Sequence, residues 1–394
     1  MTTISIIFWI CIAIVFYTYI GYGILLYLAV HIKRILCGKK TDKESPIGKD
    51  GLPHVTMMVC AFNEQDIITA KMENFHRLDY PKDKMDIIWV TDGSNDDTNN
   101  ILAGYDDVEI VFTPERKGKT AAIKHGMKEV STSIVILSDA NSMLNKGAVK
   151  EIVRLMDDPK VGCVAGEKRV AARNDSQMAA QSEGLYWKYE STLKRLDSEL
   201  YSAMGAAGEL CAIRKELFED MPDDTLLDDF IMSMITVRKG YRIAYSSDAY
   251  AMEYGSANME EESKRKKRIA AGGLQSCWRL RGMMNPFRQP VVAFQFISHR
   301  VLRWSVTPIA LFALVPLNVV LVISGEGWTY TLIWILQLAF YAAATRGYYI
   351  NKRGESSRIF NVPYYFLFMN ANVIMGFGYL MRKKNGTWEK SKRG

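Results

Sequence analysis

Paired cysteines are missing from this sequence. Its six cysteines, at positions 11, 37, 60, 163, 211 and 277, are scattered, with no CxxC and no Cys/His cluster. That speaks against a disulfide framework or a zinc module, and fits reduced, mostly buried thiols in a cytosol-facing domain. Charge is missing from the beginning of the chain: Ile4 to Val30 carries no charged side chain over about 27 residues. Such a run is long enough to cross a bilayer with some tilt. It has no obvious small-residue cleavage site and no basic stretch before it, so the expectation is an uncleaved anchor and not a signal peptide. No basic-aromatic stripe and no nucleic-acid-binding motif occurs, so the net charge of +7 is not read as a nucleic-acid footprint. The basic residues cluster beside apolar stretches instead, which points to the membrane surface.

What is present is segregated. Over 394 residues, 48% are hydrophobic and 24% charged, close to soluble averages and enough for one or two domains plus extras. Charge concentrates between about Lys33 and Arg288, leaving largely apolar ends. The pattern divides the chain into a transmembrane anchor (1–32), a polar linker (33–53), a central domain (54–285), an interfacial helix (286–304), an apolar carboxy-terminal region (305–381) and a basic tail (382–394). Lys33, Arg34, Lys39 and Lys40 directly follow the anchor, so the positive-inside rule puts the central domain in the cytoplasm. Late spans are expected at Val306 to Ser324, Trp328 to Ala344 and Val362 to Leu380, with aromatic residues at their ends. Four spans would put the basic tail outside. Either one late segment is re-entrant or interfacial, or the charge rule does not hold here.

Between the ends, strand and helix patterns alternate. Strands are expected at His54 to Ala61, Met85 to Thr91, Val108 to Thr113, Ile134 to Ser138 and Val161 to Val170, with short ones at Tyr241 to Ala244 and Tyr250 to Met252. Helices are expected at Glu64 to about Leu78, Gly118 to Val130, Lys146 to Met156, Ser176 to Leu200 and Asp228 to Lys239. This predicts an α/β fold with a mostly parallel sheet and helices on both faces. Two strands end on a carboxylate: IIWVTDGSNDDT delivers Asp92, and IVILSDAN delivers Asp139 with Asn141 two residues on. Parallel strands carry ligands at their carboxyl ends. Carboxylates placed there can hold a nucleotide's donor groups and a divalent metal. Each also has a plainer reading: Asp92 as a turn or helix-capping aspartate, Asp228 and Asp229 as an acidic first helical turn, and EEESKRKKR (Glu260 to Arg268) as a solvated helix face.

Seven stretches occur in one order: VCAFNEQD, TDGSNDDT, ERKGKTAAIKHG, SDAN, GELCAIR, LLDDF and RKKRI. In these the chain resembles the membrane-embedded family 2 glycosyltransferases, which include the cellulose, hyaluronan and poly-N-acetylglucosamine synthases. The resemblance covers roughly Val55 to Arg268. It implies a GT-A nucleotide-sugar-binding domain with transmembrane helices at both ends, in a multi-pass protein of the plasma (inner) membrane. It implies an inverting, hexosyltransferase-type reaction from a UDP-sugar to a polysaccharide or lipid-linked acceptor at the bilayer. Donor binding falls to Asn63, Glu64, Asp92, Lys119, Asp139, Arg265 and Arg268, with Mg2+ or Mn2+ on Asp139 and Asn141. The general base is Asp229; Gly208, Arg214 and Asp228 flank the acceptor sugar. Two departures stand out: Asn141 replaces the second acid of a DxD motif, and Arg265 and Ile269 replace the Gln and Trp of QxxRW. The second removes the aromatic acceptor platform of the processive synthases. Two other readings stay open, a nucleotidyltransferase on the same sheet and a membrane scaffold with a decayed catalytic domain.

Overall fold

The computed structural model describes residues 2–38, 51–171, 178–256, 258–355 and 357–382. Most of the linker and nearly all of the basic tail lie outside these residues. An eight-stranded sheet organises the centre of the chain. Its strands are β1 (Val55–Ala61), β2 (Met85–Asp92), β3 (Val108–Thr113), β4 (Ile134–Leu137), β5 (Met143–Leu144), β6 (Val161–Ala171), β7 (Cys211–Arg214) and β8 (Arg242–Tyr254). The spatial order is β3-β2-β1-β4-β7-β6-β8-β5. β1 to β4 pair in parallel, whereas β7 runs antiparallel to both β4 and β6. β8 is parallel to β6 and antiparallel to β5.

The expected mostly parallel sheet is therefore mixed. The main cause is β7, a strand of only four residues within GELCAIR, where no strand is expected. It enters the sheet from the opposite direction after the long helix Met178–Leu200. The two short strands expected near residue 245 are one strand, β8, whose partner register slips between Gly166 and Glu167.

The inner parallel strands β1, β2 and β4 are buried on both faces, which is why they read as continuous apolar runs, whereas β3 lies at the edge with Phe112 exposed. Met57, Val59, Trp89 and Ile136 pack against helices Ile68–His76 and Ala148–Met156. Met58, Val90, Val135 and Leu137 face the other way, onto helices Lys119–Glu129 and Asp228–Arg238. This is the period-2 alternation of a strand. Trp89 is wholly buried, and truncating it to alanine should cost roughly 3–5 kcal/mol.

The charged run 260–268 opens helix Met259–Arg279. Asn258 caps it, its Oδ1 accepting from the backbone N–H of Glu260 (3.0 Å) and Glu261 (2.9 Å), with three glutamates in the positive first turn. The run is not one solvated face, because Glu262, Arg265 and Lys266 turn inward while Lys264 stays in solvent.

Among the described residues, two helices are long and apolar enough to cross a bilayer, Thr3–Cys37 and Val306–Ile323. Much of their apolar surface is uncovered by protein, as at Ile6, Ile10, Ile24 and Ile309. They pack on each other through Phe8, Cys11, Ala310 and Leu314, and the Thr18 and Thr307 hydroxyls bond at 2.8 Å. Helices Trp328–Lys352 and Arg358–Arg382 complete the carboxy-terminal region.

The segment expected as an interfacial helix is a broken helix over 290–304, and its charges turn into the protein. Arg300 and Arg303 each reach Glu190 at 2.7 Å, and His299 Nδ1 lies 2.5 Å from Asp197. Glu190 and Asp197 lie two turns apart on helix Met178–Leu200. They supply the counter-charges that draw these cations inward.

Candidate active site

A cavity of about 960 Å3 opens where β1, β2 and β4 end, lined by Cys60, Ala61, Asp92, Asp139 and Asn141. The parallel half of the sheet places these groups because each strand stops at the same edge. Asp92, the last residue of β2, is buried. Its Oδ1 accepts from the N–H of Lys117 (2.9 Å) and its Oδ2 from that of Gly118 (2.6 Å). The carboxylate thus pins the turn that launches helix Lys119–Glu129, and Gly118 at φ 95° supplies the left-handed backbone that turn needs.

Lys119, first in that helix, places its Nζ 2.6 Å from Asp139 Oδ1 and 3.8 Å from Asp228 Oδ2. Burial works against its charge, but Asp139, Asp228 and Asp229 outweigh it and hold the pKa well above the ordinary lysine value. Gly208 sits at the meeting point. A Cβ built there would lie 2.9 Å from Lys119 Nζ and 3.5 Å from both Asp139 Oδ1 and Asp229 Oδ2. Its own N–H donates to Asp229 Oδ2 at 2.7 Å, and Phe230 N–H donates to Oδ1 at 2.8 Å. Burial, and then the neighbouring Asp228, push Asp229 up to about 7, the range in which a carboxylate serves as a base near neutral pH. Among the described residues Asp228 Oδ2 is buried without a hydrogen-bond partner.

Asp139 and Asn141 are the residues suited to a divalent cation. Among the described residues no cluster of three His, Cys, Asp or Glu side chains forms a metal cage. The pair still fits an ion shared with a ligand. Hard cations take oxygen donors, and Mg2+ in particular binds through one or two protein groups plus substrate phosphates. Asp139 presents its carboxylate to the cavity, and the orphaned Asp228 oxygen beside Lys119 marks a site built for more positive charge than the side chains provide.

The other expected site residues divide. Glu64 lines the cavity, and its backbone N–H donates to Thr98 Oγ1 at 2.9 Å. Asn63, at φ 54°, exchanges two hydrogen bonds with Asn95 (2.8 and 3.0 Å), so it ties the loop after β1 to the loop after β2. Arg268 lines the cavity, where Asp228 and Asp229 bear on it and burial lowers its pKa. Arg265 reaches the cavity wall but lies 3.6 Å from Glu209 and 3.7 Å from both Glu253 and Glu262. With Lys168 it forms a buried ionic network bridging the sheet and helix Met259–Arg279. Arg214 is not in the site. It stands at the far end of β7, donating to the carbonyls of Val161 (2.8 Å) and Met156 (2.6 Å).

Several groups escaped sequence reasoning. Arg116 stacks over Phe62, its Cζ 3.7 Å from the ring centroid, on the cavity rim. Glu209 follows Gly208 directly in GELCAIR and was the legible one. Glu190, Lys194, Arg300 and Arg303 lie far from any recognised motif.

A family model described as "Glycosyltransferase like family 2" matches residues 53–272. The poly-beta-1,6-N-acetyl-D-glucosamine synthase of Staphylococcus aureus is 26% identical over 240 residues, 59% of this chain and 57% of that one. The protein named "Probable glycosyltransferase YdaM" of Bacillus subtilis is 28% identical over 234 residues, 56% of this chain and 55% of that one. The chain thus spans a little over half the length of these curated relatives. A mannosyltransferase from Pyrobaculum calidifontis, solved in complex with GDP-Man and Mn2+, shares the fold with a TM-score of 0.72 at 21% identity, over 96% of this chain and all of that one. The match at 53–272 takes in more than half of the sequence and ends inside the helix that carries Arg265 and Arg268, so the chain belongs to the glycosyltransferase-like family 2, on a GT-A fold.

Proposed function

We propose that this protein is an inverting glycosyltransferase that moves a sugar from a UDP-sugar to a growing cell-surface polysaccharide or a glycolipid. The convergence of Lys119, Asp139 and Asp229 around Gly208 carries the reading. It sets a cation and a metal-suited carboxylate within one side chain's reach of a carboxylate raised to about 7.

In the reaction the acceptor hydroxyl oxygen bonds to the donor's anomeric carbon, the bond from that carbon to the diphosphate breaks, and the proton passes to Asp229. Lys119 and Arg268 are the side chains that meet charge growing on the departing diphosphate. Asp139, with Asn141 beside it, would hold the divalent cation, whose contribution when bound is further neutralisation of that charge. Asp92 fixes the turn carrying Lys119 and stands where the family contacts uracil. Arg265, held in its ionic network at the cavity wall, adds positive charge on the same helix as Arg268. The similarity to the Staphylococcus aureus poly-beta-1,6-N-acetyl-D-glucosamine synthase supports a polysaccharide product. A nucleotidyltransferase would have no use for Asp229 or for the apolar helices.

We place the catalytic domain on the cytoplasmic side of the plasma membrane. The two apolar helices with uncovered surface support membrane residence, and the basic residues after Val30 support the orientation. The test is incubation of membranes bearing the protein with a panel of labelled UDP-sugars. Label from one sugar should enter a larger or lipid-extractable product, and product length reports processivity. Label incorporated from none of them would refute the reading.

A further inference from the structure

Beyond Asp229 the cavity continues into a region that displacement at the anomeric carbon does not use. Its lining there includes Lys194, Arg300 and Arg303, together with Phe366, Met369 and Val373 of helix Arg358–Arg382. Buried cations need counter-charges. Arg300 has its partners: Glu190 at 2.7 Å and the Met204 carbonyl, which accepts from its Nε at 2.7 Å. Arg303 is only half satisfied. One terminal nitrogen meets Glu190 at 2.7 Å, whereas Nε and the other terminal nitrogen are buried with no hydrogen-bond partner among the described residues. The Tyr189 ring stacks 5.5 Å from this guanidinium, but the Tyr189 hydroxyl donates to the Tyr19 carbonyl. Lys194 is 4% exposed. Among the described residues its ammonium has no hydrogen bond and no carboxylate within 4 Å; it lies 5.7 Å from the Trp187 ring. Burial, and then Arg300, depress its pKa. Among the described residues Glu190 is thus the one carboxylate within 4 Å of these cations: it accepts from Arg303, pairs with Arg300 and is shared with His299 at 3.3 Å, and it does not reach Lys194.

A region lined both by surplus buried cations and by apolar side chains complements an amphiphile with an anionic head. A neutral glycan offers hydroxyls, which leave the cations unmatched. We infer that this end of the cavity binds the acceptor as a sugar carried on a lipid through a phosphate or diphosphate. Lys194 and Arg303 hold the phosphate, the sugar's hydroxyl turns toward Asp229, and the lipid chain lies against Phe366, Met369 and Val373. The acceptor's own phosphate linkage is unchanged in the reaction: its hydroxyl loses a proton to Asp229 and gains the donor's sugar as the nucleoside diphosphate leaves. This rests on the glycosyl-transfer reading and narrows its acceptor.

The test uses the full chain in nanodiscs, its active nucleotide sugar, and three acceptors bearing the same sugar: an alkyl-phosphate-linked glycolipid, a neutral alkyl glycoside and a free oligosaccharide. The phosphate-linked glycolipid should show a KM at least about tenfold below that of the neutral glycoside. Lys194→Gln and Arg303→Gln should each bring that ratio toward one. If Arg303→Gln fails to fold because Glu190 loses a partner, the Lys194→Gln ratio decides. Equal KM values for charged and neutral lipids, or a ratio unchanged in Lys194→Gln, would overturn the inference while glycosyl transfer stands. Inhibition by inorganic phosphate without any preference among the lipids would mark a free-anion site and overturn it too. Absence of transfer from every nucleotide sugar to all three acceptors would overturn the reading beneath it.

Discussion

Replacing Asp229 by asparagine separates its two jobs. Both carboxylate oxygens accept backbone N–H bonds, from Gly208 at 2.7 Å and Phe230 at 2.8 Å. An asparagine oxygen can keep one of them. The other N–H then faces an NH2 group, at a cost of about 1–3 kcal/mol, which thermal denaturation reads. Asparagine cannot take the acceptor's proton, so turnover should fall roughly 10²–10⁴-fold, equivalent to about 3–5 kcal/mol of barrier. Donor affinity should change far less. The pH profile gives an independent reading. A base titrating at about 7 is ionised to roughly three quarters at pH 7.5 and roughly one tenth at pH 6, so kcat/KM should fall roughly eightfold between them. Stability runs the other way. A carboxyl raised on folding binds its proton more tightly in the folded state. Its stabilising contribution is full below the ordinary carboxylate range and is lost as pH rises through about 7. Asp228→Asn should be milder on turnover. An Asp229→Asn protein that turns over like the parent, a flat profile from pH 6 to 7.5, or greater damage from Asp228→Asn would refute the assignment.

Gly208→Ala should keep the fold, because the backbone there suits alanine and the intruded atom is the mobile end of Lys119 at 2.9 Å. Moving that ammonium off Asp139 should lower kcat by about tenfold or more, read by steady-state kinetics with a melting temperature as control. Asp139→Ala should lose nucleotide-sugar affinity in titrations done with Mg2+ or Mn2+, and a chelator should reduce the parent to a similar level; full activity in excess chelator would exclude a metal role. Protease added outside intact cells should spare residues 55–285, and cleavage there would reverse the proposed orientation.

The legible parts of the sequence were the local ones. Asp92 and Asp139 each end an apolar run, so strand periodicity alone put them on one edge, and the structure brings them to one cavity. Asp228 and Asp229 were readable as a first helical turn or, through the resemblance, as an acceptor-side residue beside a general base, and in the structure they open helix Asp228–Arg238 at the cavity wall. Arg214 misled because spacing carries no direction. Gly208 is at the site, but β7 then runs antiparallel to β4, carrying Arg214 to the opposite edge, beside Ile134, a distance on the order of 20 Å for six extended residues. The 286–304 segment misled for a related reason. Apolar residues mixed with Arg300 and Arg303 describe an interfacial helix equally well when nothing says that Glu190 and Asp197, a hundred residues earlier, stand opposite. Non-local ion pairs leave no period in the sequence.

The most direct measurement of the central claim follows the anomeric proton by NMR while the purified chain, in nanodiscs with Mg2+ or Mn2+, meets each UDP-sugar with a glycolipid acceptor. One donor should be consumed, UDP should be released in equal amount, and the new glycosidic bond should carry the anomeric configuration opposite to the donor's. Consumption of no nucleotide sugar, or a product that keeps the donor's configuration, would contradict the account.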